Sequence, residues 1–164
     1  MIQVINVTNE YYENRKQIAE IIIPSGFDLK KRNAELETVK TLKDEFGGKV
    51  ELLNAINIIG YKNPDFIWGS NCWEIKSVST KNSIDSQVRY ALKQISKRVG
   101  GIVLIIDNCI LTNNEIIDIV CNRVRRTSFQ YIPKVDVILM RNYEVIDIIR
   151  LVKKDIPSTK SGQR

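Results

Sequence analysis

Residues 101–107 read "GIVLIID", a continuous apolar run of β-branched residues with no polar side chain before Asp107. A strand with one face in water alternates apolar with polar residues; a strand without alternation is buried on both faces. Burial on both faces requires covering layers, and the neighbouring segments supply them. Before the run, Ile84, Val88, Ala91, Leu92, Ile95 and Val99 recur at helical spacing, and Gly100-Gly101 is expected to stop that helix. After it, Thr112 with Glu115 three residues on forms a capping box for a helix through about Arg126, turning Ile116, Ile119, Val120 and Val124 inward.

The other segments fit the same architecture. "MIQVINV" has strand character, and Pro24-Ser25-Gly26 predicts a turn after the apolar run "IAEIII". Leu36, Val39, Leu42 and Phe46 predict a helix over 33–46, ended by Gly47-Gly48, and "KVELLNAINIIG" reads as a strand. Residues 66–78 predict a β-hairpin around Gly69-Ser70-Asn71, and "VDVILM" with "EVIDIIR" a second one around Arg141-Asn142-Tyr143. The fold class is therefore α/β, a mixed central sheet flanked by helices. The 164 residues make one domain, with its core at about 33–150 and a polar, proline-broken tail at 151–164 expected to fray.

Composition bounds the chemistry. Lys and Arg number 25 against 19 Asp and Glu, a formal charge of +6, which suits a polyanionic partner as well as simple solubility. The chain has no histidine. That removes Ser-His-Asp and Cys-His catalysis, histidine acid/base ribonuclease chemistry and histidine-ligated zinc together. Cys72, Cys109 and Cys121 lack metal-binding spacing and are expected to be reduced, buried apolar residues, as in a cytoplasm. No secretory signal opens the sequence, and no apolar run approaches the roughly 20 residues that span a bilayer.

The stretch "NPDFIWGSNCWEIKS", residues 63–77, sets two carboxylates and an ammonium group in an apolar hairpin. Along a strand Glu74 and Lys76 point one way and Ile75 the other. Closure around residues 69–71 is expected to bring Asp65 roughly opposite Lys76 or Ser77. Two carboxylates a few ångströms apart repel unless a proton or cation lies between them. With oxygen ligands and no histidine, the fitting cation is Mg²⁺ or Mn²⁺, held by Asp65, Glu74 and the Ile75 carbonyl, with Lys76 orienting a water or stabilising charge at phosphorus.

Pro64-Asp65 followed by Glu74-Ile75-Lys76 resembles the P-D…(D/E)-x-K active-site hairpin of the PD-(D/E)xK nuclease superfamily. The superfamily core is a helix, a three-strand meander, a second helix and another strand, an order in which residues 33–107 can be read. Many members add an acidic residue on the first helix. At ~100° per residue Glu35 falls within the apolar arc of that helix and Glu37 outside it, so Glu35 is preferred and Glu37 is second choice. More narrowly, "PDFIWGSNCWEIKSVST…SIDSQVRYALKQI…GIVLIID" is similar to the C-terminal tRNA nuclease domains of contact-dependent growth inhibition toxins of the CdiA type. That resemblance implies a metal-dependent endonuclease acting on RNA, tRNA foremost, in the cytoplasm of a bacterial cell, and an acidic immunity protein as partner. A DNA endonuclease of the same fold is the alternative within the class. A catalytically silent nucleic-acid- or protein-binding domain of a phage or mobile element is the alternative outside it.

Other residues invite a role and have a plainer one. Gln87 and Tyr90 lie early on the second helix, where superfamily members place polar residues that touch the site. Ser77, Ser79, Thr80 and Ser83 suit a phosphate grip, or ordinary helix capping. Arg89, Lys93, Lys97 and Arg98, and separately Arg123, Arg125 and Arg126, would follow a phosphate backbone or merely solvate a helix face. Trp68 and Trp73 flank the turn as stacking platforms, with a packed role favoured for Trp73.

Overall fold

The computed structural model describes residues 2–56, 63–95, 100–127 and 134–154. In chain order the elements are β1 (Ile2–Asn6), α1 (Thr8–Glu13), β2 (Ala19–Ile22), α2 (Asn33–Phe46), β3 (Gly48–Leu52), β4 (Phe66–Trp68), β5 (Asn71–Ser77), α3 (Lys81–Gln94), β6 (Gly100–Ile105), α4 (Asn113–Arg126), β7 (Lys134–Arg141) and β8 (Glu144–Lys153). The strands form one eight-stranded sheet in the order β1-β8-β7-β6-β5-β4-β3-β2. Pairing is parallel for β2/β3, β5/β6 and β6/β7 and antiparallel elsewhere, so the sheet is mixed. Among the described residues no helix is long and apolar enough to cross a membrane.

The double burial expected of the 101–107 run is met by layers on both faces. Ile102 and Leu104 of β6 pack with Ile84, Val88, Ala91 and Leu92 of α3 and with Ile116, Val120 and Val124 of α4. Val103, from the other face of β6, belongs to the core built on Leu36, Val39, Leu42 and Phe46 of α2. Both α3 and α4 begin on a capping box, Thr80 with Ser83 and Thr112 with Glu115. Arg123, Arg125 and Arg126 lie in the last turn of α4, where cations complement the helix dipole. All three cysteines are free and buried.

The sequence expectations need correction at several boundaries. Helix α3 stops at Gln94, and Gly100-Gly101 are the first residues of β6 instead of a helix stop; Val99 falls outside the described residues. These glycines are required by close strand packing. A Cβ at Gly100 would lie 1.6 Å from the Cys72 carbonyl oxygen, and one at Gly101 would lie 2.4 Å from the Trp73 ring and 2.5 Å from the Asp136 carbonyl oxygen. The strand expected across 49–60 ends at Leu52, beyond which the Leu53 N–H still bonds to the Asp65 carbonyl at 3.2 Å, and residues 57–60 of that expectation fall outside the described residues. At the N-terminus β1 pairs with β8 along its whole length, α1 touches α2 and β8, and β2 extends the far edge beside β3. Strand β8 continues through Leu151–Lys153, opposite β1 and β7.

The Gly101 contacts predict a large cost for one added methyl group. Gly101→Ala should lower the unfolding free energy by more than about 2 kcal/mol, read from urea midpoints, because the neighbours are backbone and a packed ring. Ile110→Ser, at a side chain 97% exposed, should change it by less than about 0.5 kcal/mol. Equal effects of the two substitutions would contradict this packing.

Candidate active site

The hairpin β4–β5 sets the geometry, and it is tighter than expected. Its turn is the two residues Gly69-Ser70, with Gly69 at φ +63, the left-handed first position that favours glycine. Trp68 therefore pairs with Asn71, Ile67 with Cys72 and Phe66 with Trp73. This corrects the expected placement of Asp65 opposite Lys76 or Ser77: the shorter turn brings Asp65 level with Glu74 and Ile75.

The two acids are held by each other's strands. The Ile75 N–H donates to Asp65 Oδ2 at 2.7 Å, and the Asp65 N–H is shared between Glu74 Oε1 at 3.1 Å and the Trp73 carbonyl at 3.0 Å. Lys76 Nζ stands 3.8 Å from Glu74 Oε2. The Glu74 side chain is 1% exposed and that of Lys76 19%. Burial first, and the Asp65 carboxylate second, push the Glu74 pKa up to about 8, against the opposing pull of Lys76. At neutral pH the pair therefore carries a proton wherever no cation replaces it. Within a strand the N–H and C=O of one residue face the same neighbour, so the Ile75 carbonyl points to the Asp65 edge as its N–H does.

This donor set fits a hard cation that keeps several waters. Mg²⁺ is commonly bound by one or two carboxylates plus water, and Asp65, Glu74 and the Ile75 carbonyl offer that. Among the described residues no group of three or more His, Cys, Asp or Glu side chains gathers to hold a metal, so the helix carboxylate does not join the pair. Glu35 lies nearby: it lines a cleft of about 760 Å³ with Asp65, Lys31, Arg32, Leu53 and Gln94. There it accepts from Arg32 Nε at 3.0 Å and Nη2 at 2.5 Å. Glu37 faces away and pairs with Lys40 at 3.2 Å.

Arg32 and Gln94 are site residues that the sequence reasoning did not single out. Arg32 Nη1 donates to the Leu53 carbonyl at 2.6 Å, and its guanidinium stacks 4.4 Å from the centre of the Phe27 ring. It thereby ties the start of α2 to the end of β3 and aims Glu35. The signal was present in the three-residue spacing of Arg32 and Glu35. Gln94 brings a buried amide oxygen with no hydrogen-bond partner to the same cleft. It stands seven residues after Gln87 on α3, with Ala91 between them on one stripe. Gln87 itself is half-buried, and Tyr90 is exposed.

The remaining candidates take their plainer roles. Ser83 Oγ accepts from the Ser79 and Thr80 N–H groups, both at 2.9 Å, so these hydroxyls cap α3. Arg123 and Arg126 both pair with Asp85, bolting α4 to α3, while Arg89 lies over the Tyr90 ring on the outer surface. Arg125 and Lys93 are exposed, and Lys97 and Arg98 fall outside the described residues. Trp73 is 2% exposed, and Trp68 donates from Nε1 to the Gly47 carbonyl at 2.9 Å, so neither is an open stacking platform.

No protein-family model and no curated protein matches the chain. Among solved structures, one described as "CdiA-CT/CdiI toxin and immunity complex from Burkholderia pseudomallei" is similar at a TM-score of 0.47 and 15% identity, over 82% of this chain and 99% of that one. A likeness of that degree assigns no function to this chain.

The Glu74 proton sets a pH dependence. An unfolded glutamate ionises near 4.5, whereas the folded one keeps its proton to about 8. Between those values the folded state binds more protons than the unfolded, so stability falls as pH rises, levels off above about 8 and shows no effect below about 4.5. In EDTA, Glu74→Gln should match the wild type near the lower limit and unfold at higher urea near the upper one. A constant difference between the two proteins across that range would contradict the assignment.

Proposed function

We propose that this chain is a divalent-metal-dependent endonuclease of the PD-(D/E)xK kind that hydrolyses RNA, with tRNA as its first candidate substrate. The observation that carries the reading is the mutual pinning of Asp65 and Glu74 with Lys76 beside them. The order α2-β3-β4-β5-α3-β6 supports it, being the helix, meander, helix and strand that the superfamily resemblance calls for.

A bound Mg²⁺ or Mn²⁺ would polarise the phosphodiester and acidify a water molecule. The protein's own groups do the rest. Asp65, beside the start of β4, and the Ile75 carbonyl of β5 would offer oxygens from the two facing segments, and Glu74 would complete the pair on losing its proton. Lys76, partly exposed and tethered electrostatically to Glu74, keeps its ammonium where negative charge develops on the phosphoryl oxygens. Lys31 and Arg32, in the cleft that Asp65 lines, suit the flanking phosphates. Glu35, with Arg32, positions one side of that cleft.

The RNA preference and the setting, a toxin acting in a bacterial cytoplasm and checked by an acidic immunity protein, rest on the resemblance of residues 33–107. Attack by water needs no ribose 2′-OH, so duplex DNA is the substrate to exclude.

Labelled tRNA and duplex DNA should be incubated with purified protein in Mg²⁺ or EDTA. The expected result is cleavage of tRNA in Mg²⁺ alone. Asp65→Ala and Lys76→Ala should each lower the rate at least about 100-fold while circular dichroism and thermal unfolding report an intact fold. Cleavage of DNA only would move the substrate class. Cleavage in EDTA, cleavage of neither substrate, or full activity in the variants would overturn the reading.

A further inference from the structure

Three aromatic rings stand well exposed among the described residues: Tyr12 at 44%, Tyr90 at 47% and Tyr143 at 47%. Tyr12 belongs to α1 and packs against Phe46, with ring centres 4.8 Å apart, and Tyr143 sits in the turn between β7 and β8. Of the three, Tyr90 is the one on an element that lines the cleft of Asp65, since Gln94 of α3 forms part of that cleft's wall.

Helix geometry puts Tyr90 on the cleft side of α3. Asp85 is bonded to Arg123 and Arg126, so it marks the flank that faces α4. At ~100° per residue Tyr90 stands ~140° round the helix from Asp85 and only ~40° from Gln94. Gln87, Tyr90 and Gln94 thus occupy successive turns of one flank, the two amides half-buried and the ring outermost.

Cations accompany the ring. The Arg89 guanidinium carbon lies 5.1 Å from its centre, and Lys93 follows Arg89 by one turn, with its side chain exposed. Asp85 is the sole acid of α3 and is committed to α4, and neither Arg89 nor Lys93 forms an ion pair among the described residues. The ring and both cations are reachable without any movement of the core. An exposed ring beside two uncompensated cations is the chemistry that takes a single strand: a base stacks on the ring and the neighbouring phosphates meet the cations. A base inside a continuous duplex has both faces covered by its neighbours and offers the ring nothing.

We infer that this flank of α3 is a platform for an unpaired nucleotide of the substrate: its base stacks on Tyr90, and the phosphates on either side meet Arg89 and Lys93. The inference rests on the metal-pair reading and narrows its substrate to RNA with an unpaired loop or end.

A fluorescein-labelled dodecaribonucleotide without self-complementarity, alone or annealed to its complement, should be titrated with the protein in EDTA and followed by anisotropy. Tyr90→Ala should weaken the single strand about tenfold and the duplex less than about twofold, whereas Tyr90→Phe should keep both within about twofold. Lys93→Ala should weaken both forms alike and lower the salt slope by about one. The inference is overturned where Tyr90→Ala binds the single strand as the wild type does, where it loses both forms equally, or where the slope of Lys93→Ala is unchanged. Failure of the metal-pair reading looks different. Intact tRNA in Mg²⁺ with the Tyr90 difference present supports the platform and sinks the metal pair; cleavage with no Tyr90 difference does the reverse.

Discussion

Two carboxylates, Asp65 just before β4 and Glu74 on β5, meet at the end of an antiparallel ladder, and a single ammonium group, that of Lys76, stands beside Glu74. That crowding is the constraint around which the hairpin is built. Glu74 is 1% exposed, on the face of the inner strand β5 that α3 and α4 cover. Asp65 has its own N–H and carboxylate both committed to β5. An isolated buried charge is costly, and here Lys76 and the Asp65 N–H offset only part of that cost for Glu74. The response available to the free protein is to hold a proton on the pair; the alternative is a cation.

The same strand serves two faces. Cys72, Glu74 and Lys76 look towards the side covered by α3 and α4, whereas Trp73 belongs to the core beneath α2. One alternating sequence thus furnishes a charged cluster on one side and an indole wall on the other. Both depend on the Gly69-Ser70 turn, which sets the register, and on Gly101, which lets the Trp73 ring pass close to β6. A one-residue slip would exchange the two faces, placing Glu74 against Phe66 and Trp73 towards α3.

Much of this was legible in the sequence where one physical signal dominated. Helix α2 lies at 33–46 as its apolar spacing implied, α4 begins at the Thr112–Glu115 box, and the β7–β8 hairpin turns at Asn142-Tyr143. The motif pair Asp65 and Glu74-Ile75-Lys76 was visible as residue types. Its register was not, because Gly69, Ser70 and Asn71 are all turn formers and choosing two or three of them moves Asp65 along β5. Gly100-Gly101 misled for a related reason: glycine after a helical pattern reads as a stop, while here the neighbours' close approach is what demands it. Helix α1, only six residues long, leaves no periodicity to read. Glu35 was selected as an acid on an apolar arc in need of a partner, and that partner is Arg32, outside the motif altogether.

The central claim is that Asp65 and Glu74 exchange a proton for a divalent cation. Calorimetric titration of Mn²⁺ into the metal-free protein at pH 7, repeated in buffers of different ionisation enthalpy, counts the protons released on binding. The account predicts saturable binding with close to one proton released per ion, since the Glu74 pKa lies at about 8, and loss of that binding in Asp65→Ala. Binding without proton release, or unchanged binding in the variant, would contradict it.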